Sequence, residues 1–257
     1  MPGEDVVLAT ENLTVRYGGV LAVDDVSLRV PRGRVVGLIG PNGAGKTSFV
    51  DAVTGFTPSD GRLLLAGARA DGWPAHRRAR AGLARTWQSM ELFADLTARE
   101  NVQVAAARLT VASVLLDMVR PGRAALDGRV SVALERAGIR DAADAYPHEL
   151  SLGQRKLLGV ARALAPDPTV LLMDEPAAGL DTDESRALGL RIRDIAADGT
   201  GVLLIDHDMG LVLDVCDEIY VLEFGKVIAH GTPEEMRRDD RVVAAYLGAT
   251  AGTEDRT

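Results

Sequence analysis

A glycine-rich segment of eight residues has the clearest chemistry in the sequence. Residues 40–47 read GPNGAGKT and lie between an apolar run and a stretch with helically spaced apolar residues. Glycines let successive backbone N–H groups point at phosphate oxygens, and the following helix N-terminus adds partial positive charge. Lys46 would reach the β- and γ-phosphates of a nucleotide, and the Thr47 hydroxyl would complete a Mg²⁺ shell that the nucleotide begins. The pattern predicts a nucleotide site formed by Asn42, Gly43, Ala44, Gly45, Lys46, Thr47 and Ser48.

Two adjacent carboxylates follow a second apolar run. Residues 170–173 are apolar throughout, and Asp174 and Glu175 come directly after them. Two acids at the end of a buried strand cost free energy unless a cation compensates them. Beside a phosphate loop, Asp174 would hold Mg²⁺ and Glu175 would orient or deprotonate the attacking water. The pair predicts hydrolysis rather than binding alone, and an exposed acidic turn after a core strand is the alternative.

Two further polar side chains carry weaker signals. His207 directly follows the apolar residues 202–205, so it leaves a strand at its carboxyl end, where ligand sites of α/β proteins form. There it would contact the γ-phosphate, and a solvated histidine at the strand end is the alternative. Gln88 follows the tripeptide Arg-Thr-Trp and taken alone is equally consistent with a surface amide.

These residues need strands and helices to bring them together. The first segment alternates in short β-like runs, and a helix, a turn and another strand follow the phosphate loop. Between residues 92 and 146 the composition shifts to Ala, Leu, Val and Arg, which predicts a helical lobe broken near Pro121 and Gly122. Strands and helices then alternate, which predicts a parallel sheet covered by helices. The predicted strands are residues 6–8, 13–17, 26–30, 35–39, 62–65, 170–173 and 202–205.

Composition and charge exclude several classes of function. The chain has 257 residues, a net charge of -8 and one cysteine, Cys216. The acidic balance argues against a protein that binds nucleic-acid backbones through clustered Lys and Arg. A single cysteine permits neither an intrachain disulfide nor a cysteine-based metal site, which is compatible with the cytosol. The N-terminus shows no secretory pattern, and apolar stretches such as residues 111–118 are far shorter than the ~20 residues that cross a bilayer. We therefore expect any membrane contact to run through a partner.

A short peptide connects these features to a known family. Residues 150–154 read LSLGQ and resemble the signature peptide of ATP-binding-cassette (ABC) ATPases. The remaining family elements occur in the family's order: Tyr17, the phosphate loop, Gln88, the signature peptide, Asp174 and Glu175, residues 178–181, and His207. The resemblance implies the α/β fold of a P-loop NTPase, with a RecA-like parallel-sheet core, an N-terminal antiparallel β subdomain and an inserted α-helical signature subdomain. The implied domain covers residues 1–250, with a catalytic core at about 1–91 and 165–248, a helical subdomain at about 92–164, and a disordered tail at 251–257.

The resemblance also implies roles within one chain. Tyr17 would stack on adenine with Val23 packing nearby, whereas a strand aromatic in the core is the alternative for Tyr17. Gln88 would sense Mg²⁺ and the attacking water and link the two lobes. The implied catalytic residues are Glu175, His207, Gln88 and Lys46, and the implied metal-binding residues are Thr47, Gln88 and Asp174.

Other roles extend across two chains. In this family Ser151, Gly153 and Gln154 bind the γ-phosphate of ATP held by the opposite subunit, so the functional unit is a head-to-tail dimer with two ATP molecules. The second ATPase subunit is either identical or a paralogue, and Asp181 would communicate across the interface. A helix N-cap at Ser151 and a loop acid at Asp181 are simpler interpretations, and both are compatible with these roles. ATP would join the two surfaces, and hydrolysis would remove the bridge.

A single nucleotide-binding unit is typical of bacterial importers with separate subunits. The resemblance implies work at the cytoplasmic face of the cell membrane with two transmembrane permease subunits, and indirectly with an extracytoplasmic solute-binding protein. Residues 89–96 would meet a short cytoplasmic helix of the permease, with Phe93 as the candidate contact; local core is the equal alternative. One group of arginines is interpreted as a solvated helix face rather than a site for anionic lipid: Arg77, Arg78, Arg80 and Arg85.

Further peptides narrow the resemblance to the branched-chain amino-acid importer ATPases. They are residues 85–88, 91–93, 100–101, 205–209, 231–235 and 245–248. Two features depart from this group: Trp87 replaces the more usual Phe, and residues 111–126 do not follow the pattern. ATPases of urea or short-amide importers and of lipopolysaccharide exporters are close alternatives. A non-transport cassette protein acting on ribosomes or DNA is the alternative from a different class.

Overall fold

The computed structural model describes residues 5–87, 91–107 and 123–242. The predictions for Gln88, for the break near Pro121 and Gly122, for residues 245–248 and for the tail concern positions outside these ranges. The strands are β1 (Val6–Tyr17), β2 (Val20–Pro31), β3 (Val35–Ile39), β4 (Asp60–Leu65), β5 (Ala68–Arg69), β6 (Leu83–Thr86), β7 (Val170–Asp174), β8 (Gly201–Ile205), β9 (Glu218–Glu223) and β10 (Lys226–Gly231). The α-helices are α1 (Lys46–Thr54), α2 (Ala75–Arg80), α3 (Ala98–Ala106), α4 (Arg123–Ala137), α5 (Leu152–Leu164), α6 (Thr182–Ala197), α7 (Met209–Val215) and α8 (Pro233–Met236). Short 3-10 helices span Arg140–Ala142 and Pro147–Glu149.

The N-terminal part forms a four-stranded antiparallel sheet in the order β2-β1-β4-β5. The sequence predicts two short strands at residues 6–8 and 13–17, but the structure has one continuous strand, so this predicted break is wrong. The register of β1 against β2 shifts between Thr10 and Leu13, and Asn12 between them has a φ of +53°. Such a bulge lets the strand continue past its polar residues and increases its twist.

The second sheet has six strands in the order β10-β9-β3-β8-β7-β6. β10 is antiparallel to β9, and the other neighbouring strands run parallel. β3 and β8 are buried along their whole length, as expected for parallel strands covered on both faces. Because parallel strands end at the same edge of a sheet, the segments that follow β3, β7 and β8 meet there. That edge carries the phosphate loop, the two carboxylates and His207.

A helical lobe follows β6. A capping box between Thr97 and Glu100 begins α3, and α3, α4 and α5 contribute Val102, Leu134 and Leu158 to one buried core. Asn101 is buried in α3, and its side-chain amide donates to the carbonyl oxygens of Phe93 and Leu96. The segment that enters the lobe is therefore attached to α3 by a buried amide rather than by apolar packing alone.

The observed layers confirm the predicted fold class. The chain has the mixed α/β architecture of a P-loop NTPase, with an antiparallel sheet at the N-terminus and a largely parallel sheet in the core. The predicted domain boundaries stay a prediction. In the described ranges, no helix combines the length and the apolar character that crossing a membrane requires.

Candidate functional site

The phosphate loop connects the carboxyl end of β3 to the first turn of α1. Gly45 is the N-cap of α1 and has a φ of +102°, a left-handed conformation that favours glycine. A Cβ at Gly45 would overlap the carbonyl oxygen of Ala22 in β2, and a Cβ at Gly40 would overlap that of Leu222 in β9. The loop is thus packed between two strands with its helix N-terminus facing the cleft, which is the geometry that binds anions.

Lys46 is buried inside this loop. Its Nζ donates hydrogen bonds to the carbonyl oxygens of Gly40 (2.6 Å) and Pro41 (3.0 Å). Burial lowers the pKa of Lys46, and the neighbouring carboxylates Glu175 and Asp174 act in the opposite direction. A bound phosphate would give the ammonium group a charged acceptor, which forms a stronger hydrogen bond than a carbonyl oxygen.

The two carboxylates leave β7 through a strained turn. Glu175 has a φ of +45°, and its backbone N–H donates to the carbonyl oxygen of Ile205 at the end of β8 (2.7 Å). A non-glycine residue in this conformation costs about 1–3 kcal/mol and persists only where the surroundings impose it. The hydrogen bond to β8 is one such constraint, and it sets the backbone direction from which the Glu175 side chain leaves the sheet.

Arg85 in β6 joins two carboxylates beside the loop. Its Nη1 donates to Oδ1 of Asp51 in α1 (2.6 Å), and its Nη2 donates to Oδ2 of Asp174 (2.8 Å). Only 8% of the Arg85 side chain is exposed, and the guanidinium carbon lies 4.4 Å from the centre of the Trp87 ring. Asp174 is therefore tied both to α1 and to the segment that follows β6.

The prediction of a solvated arginine face is wrong for two of its four members. Arg78 is buried, and its guanidinium donates to the carbonyl oxygens of Ala52 and Val53 in the last turn of α1. Arg85 is buried in the ion pairs described above. Arg77 and Arg80 are exposed, as predicted. Both guanidinium groups can be buried because each donates hydrogen bonds to protein acceptors. Arg78 binds helix-end carbonyl oxygens, and Arg85 binds carboxylates.

His207 follows β8 and lies close to Glu175. Its Nδ1 is 3.7 Å from Oε1 of Glu175 and 3.7 Å from Oδ1 of Asp206. Asp206 is buried and accepts the backbone N–H groups of His207 (2.8 Å) and Asp208 (3.0 Å). Burial raises the pKa of Asp206, and these N–H groups partly offset the effect. Asp206 thus shapes the turn that presents the exposed imidazole beside Glu175.

A cleft of about 420 Å³ contains most of the predicted nucleotide-binding residues. Its lining consists of Val20, Leu21, Ala22, Asn42, Gly43, Ala44, Gly45, Lys46, Thr47, Ser48, Asp174, Glu175, Ile205, Phe224 and Gly225. The fold therefore brings the phosphate loop and both carboxylates into one space. Within the described part of the chain, this lining omits seven predicted site residues: Tyr17, Val23, Ser151, Gly153, Gln154, Asp181 and His207.

The two residues predicted to bind adenine, Tyr17 and Val23, do not line the cleft. Tyr17 is 48% exposed, so it is no core aromatic, and its hydroxyl lies 3.3 Å from Oγ1 of Thr57. Val23 is fully buried, which keeps its side chain out of the cleft. Val20 and Phe224 line the cleft instead. Sequence reasoning missed Phe224, although a phenylalanine before glycine at a hairpin turn is a detectable signal.

The signature peptide begins α5 as a helix cap. Ser151 Oγ accepts the backbone N–H of Gln154 (3.2 Å), and Gln154 Oε1 accepts that of Ser151 (2.9 Å), which completes a capping box. A Cβ at Gly153 would lie 2.9 Å from Oε1 of Glu184, so the peptide packs closely on α6. Asp181 is the N-cap of α6 rather than only a loop acid. Both caps are exposed and separate from the cleft of the same chain.

A larger groove of about 1010 Å³ lies between the sheet and the helical lobe. Phe56 and Trp87 line it, and their ring centroids are 5.3 Å apart in an edge-to-face arrangement. Both rings are at least half exposed. Phe93 is also partly exposed, with the Arg162 guanidinium 5.3 Å from its ring, so it lies at the surface rather than in local core.

The donors in the cleft fit a magnesium ion. The hydroxyl of Thr47 and the carboxylate of Asp174 line the same space, and both are oxygen ligands of the kind that Mg²⁺ prefers. The described residues contain no group of three or more His, Cys, Asp or Glu side chains suited to a metal. Mg²⁺ commonly combines one or two protein ligands with substrate phosphates. The residues present therefore fit an ion that arrives with a nucleotide.

Two family profiles match the sequence. The profile described as ABC transporter covers residues 23–178, which includes the phosphate loop, the signature peptide and both carboxylates. The profile described as branched-chain amino acid ATP-binding cassette transporter covers residues 226–252 at the C-terminus.

Curated relatives and solved structures agree with these profiles. The high-affinity branched-chain amino acid transport ATP-binding proteins LivG of Salmonella typhimurium and BraF of Pseudomonas aeruginosa are each 39% identical, and both alignments cover 94% of this chain and 98% of the relative. The lipopolysaccharide export system ATP-binding protein LptB of Escherichia coli is 36% identical, with 94% and 97% covered. A nucleotide-free ATP-binding cassette from an ABC transporter superimposes with a TM-score of 0.82 at 28% identity, over 94% of this chain and 98% of that one. A crystal structure of an ATP-binding cassette of an ABC transporter in its ADP conformation gives a TM-score of 0.83 at 29% identity, over 95% of this chain and 99% of that one.

Proposed function

The chain belongs to the ABC transporter family of ATP-binding cassettes, and we propose that it is the ATP-hydrolysing subunit of an importer for branched-chain amino acids. The observation that carries the proposal is the agreement between a C-terminal profile and relatives that align along nearly the whole chain. The C-terminal profile and the named relatives LivG and BraF both belong to branched-chain amino acid transport. The phosphate loop and the two carboxylates in the cleft support ATP hydrolysis.

Within the cleft, the residues divide the work of hydrolysis. The phosphate loop and Lys46 bind and orient the triphosphate of ATP through backbone N–H groups and one ammonium group. Thr47 and Asp174 would hold a Mg²⁺ ion that arrives with the nucleotide, and the ion would supply positive charge beside the phosphates. Glu175 accepts a proton from the attacking water, and the neighbouring His207 donates a hydrogen bond to the γ-phosphate. Gln88 completes the set in this proposal and lies outside the described residues.

Two copies of the cassette, or this chain and a paralogue, complete each site. Ser151 and Gln154 are exposed at the start of α5, Gly153 is half-buried, and none of the three lines the cleft of its own chain. Their exposed N-cap therefore supports a role toward the ATP of a second subunit in a head-to-tail dimer. Asp181 lies at the N-cap of α6, which packs against the same peptide, and would transmit contacts across that dimer.

The permease would dock on the groove between the sheet and the helical lobe. Exposed aromatic rings of Phe56 and Trp87 offer an apolar surface there, and Phe93 is a further exposed aromatic residue near the start of the helical lobe. Two transmembrane permease subunits would bind the two cassettes and hold them at the cytoplasmic face of the membrane. A solute-binding protein on the other face would deliver the amino acid without touching this chain.

Co-purification and uptake assays test the proposal. The chain is isolated from membranes with its native permease, and uptake of leucine, isoleucine and valine is compared with uptake of urea. We expect ATP-dependent uptake of the branched amino acids, lost when the assembly carries Glu175→Gln. Urea uptake, association with a lipopolysaccharide export permease, or recovery of ribosomes in place of a permease would each overturn the proposed cargo. Lipopolysaccharide export is tested because a relative with that name is 36% identical.

A further inference from the structure

The turn between β9 and β10 presents a phenylalanine to solvent under strain. Phe224 is 85% exposed, more than any of the other large apolar side chains that are exposed in the described ranges. Its φ is +46°, a left-handed conformation that bulky side chains rarely adopt. Exposure of an aromatic ring and strain in its backbone both cost free energy, and strained residues concentrate at ligand sites. Hairpin formation alone gives no reason for a ring at this position.

The hairpin tip is held rigidly against the phosphate loop. The N–H of Gly225 donates to the carbonyl oxygen of Ala44 (2.9 Å), and the N–H of Asp24 donates to the carbonyl oxygen of Gly225 (2.8 Å). Lys226 also forms an ion pair with Asp24 (3.1 Å). These contacts tie the turn to the loop on one side and to β2 on the other, so the backbone position of Phe224 is set by the cleft.

The cleft has a polar part and a separate wall. The phosphate loop, Ser48 and the carboxylates form the polar part, and the remaining lining consists of Val20, Leu21, Ala22, Ile205, Phe224 and Gly225. Val20, like Phe224, exposes most of its side chain. A nucleoside attached to a triphosphate in the loop would have this wall within reach. Phe224 is the aromatic ring on it, whereas Tyr17 lies outside the lining.

We propose that Phe224 is a base-binding residue that stacks on the adenine of ATP held by the phosphate loop. Stacking requires a flat aromatic face at the rim of the cleft, and the turn, whose backbone is attached to the phosphate loop and to β2, supplies one. The inference rests on the proposed function, because it takes the cleft to be the ATP site. Phe224 would stack on the base either together with Tyr17 or in its place.

Binding of a ligand that carries adenine is compared with binding of a ligand that lacks it. The probes are ATP and tripolyphosphate, titrated calorimetrically into the purified full-length chain. We expect Phe224→Ala to weaken ATP binding on the order of tenfold, the size of a lost base–aromatic contact, and to leave tripolyphosphate binding unchanged. Phe224→Tyr should retain ATP affinity. Unchanged ATP binding by Phe224→Ala, or equal losses for both probes, would overturn the proposal. If the unaltered chain binds tripolyphosphate and not ATP, or binds neither, the proposed function itself fails.

A second variant separates base binding from folding. Asparagine tolerates positive φ, so Phe224→Asn relieves backbone strain while removing the ring. We expect its thermal stability to equal or exceed that of the unaltered chain while its ATP affinity falls. The matched control is Leu190→Ala, which removes an exposed apolar side chain of α6 outside the cleft and should change neither ATP nor tripolyphosphate affinity. An Asn variant that keeps full ATP affinity would contradict the assignment.

Fluorescence identifies which ring contacts the base. The triphosphate of 2-aminopurine riboside loses fluorescence when its base stacks, and we expect Phe224→Ala to restore part of the emission at saturating probe. Tyr17→Ala is measured in parallel. If Tyr17→Ala alone restores the emission and Phe224→Ala leaves it quenched, Tyr17 is the stacking residue and the inference about Phe224 is wrong.

Discussion

Replacing Arg85 with methionine tests the ion bridge between α1 and the end of β7. The change keeps the length and packing of the stem but removes both charge-assisted hydrogen bonds, to Asp51 and Asp174. Asp174 is only 13% exposed and Asp51 29%, so water compensates their charges poorly. Removing one partner of a buried pair costs about 3–5 kcal/mol. Because Asp51 is partly solvated, we expect the lower end, about 3 kcal/mol.

Urea unfolding measures this loss. With an m-value of about 3 kcal/mol/M, the expected 3 kcal/mol corresponds to a midpoint lower by about 1 M. Adding Asp51→Asn to Arg85→Met removes one uncompensated charge, so the double variant should be more stable than Arg85→Met alone. A stability change in the double variant that differs from the sum of the changes in the two single variants measures the coupling between Arg85 and Asp51.

A surface ion pair provides the control. Arg99 pairs with Asp144 at 3.2 Å, and both side chains are largely solvated. Arg99→Met should cost at most about 1 kcal/mol. If Arg85→Met and Arg99→Met lower the midpoint equally, the bridge does not stabilise the fold as the structure indicates, and the reasoning from burial is refuted.

Further substitutions probe the cleft and the turn that follows β8. Glu175→Gln should lower the rate of phosphate release from ATP by about 100-fold or more. The variant should still bind ATP and form an ATP-held dimer in gel filtration. Undiminished turnover would exclude Glu175 as the catalytic base. Gly45→Ala should abolish ATP binding in calorimetry because its Cβ overlaps the carbonyl oxygen of Ala22. An added Cβ at Gly43 meets no other atom of the protein, so Gly43→Ala should cost only backbone strain of about 1 kcal/mol in urea unfolding without nucleotide. Burial raises the pKa of Asp206, so the folded chain binds that proton more tightly than the unfolded chain, and the associated stability is lost as pH rises from about 4 through the raised pKa. Asp206→Asn should therefore flatten the dependence of melting temperature on pH between about 4 and the raised pKa, and an unchanged slope in that interval would contradict the burial effect.

Features carried by neighbouring residues were predictable from the sequence. Residues 40–47 form a phosphate loop because glycine conformations and a helix start are local properties of the backbone. The apolar residues 170–173 form a buried strand that ends at two carboxylates for the same reason. The continuous strand β1 was missed because an Asn bulge lets pairing with β2 override a polar interruption.

Features that depend on distant residues were not predictable. The four arginines at residues 77–85 look alike in the sequence, yet only Arg78 and Arg85 find buried acceptors. The two carboxylates that bind Arg85 lie 34 and 89 residues from it in the sequence, and no periodicity of the sequence predicts contacts at such separations. Only the placement of α1 and β7 beside β6 decides its burial.

The sequence by itself determined that the chain has an ATPase site, because the phosphate loop and the carboxylates act through short contiguous peptides. The tertiary structure decided what shares that site. It brought Phe224 and Val20 to the cleft, buried Val23, and left Ser151 at an exposed helix cap. The physical reason is that strand order and hairpin attachment set distances between segments, while side-chain types along the chain set only what each segment is able to do.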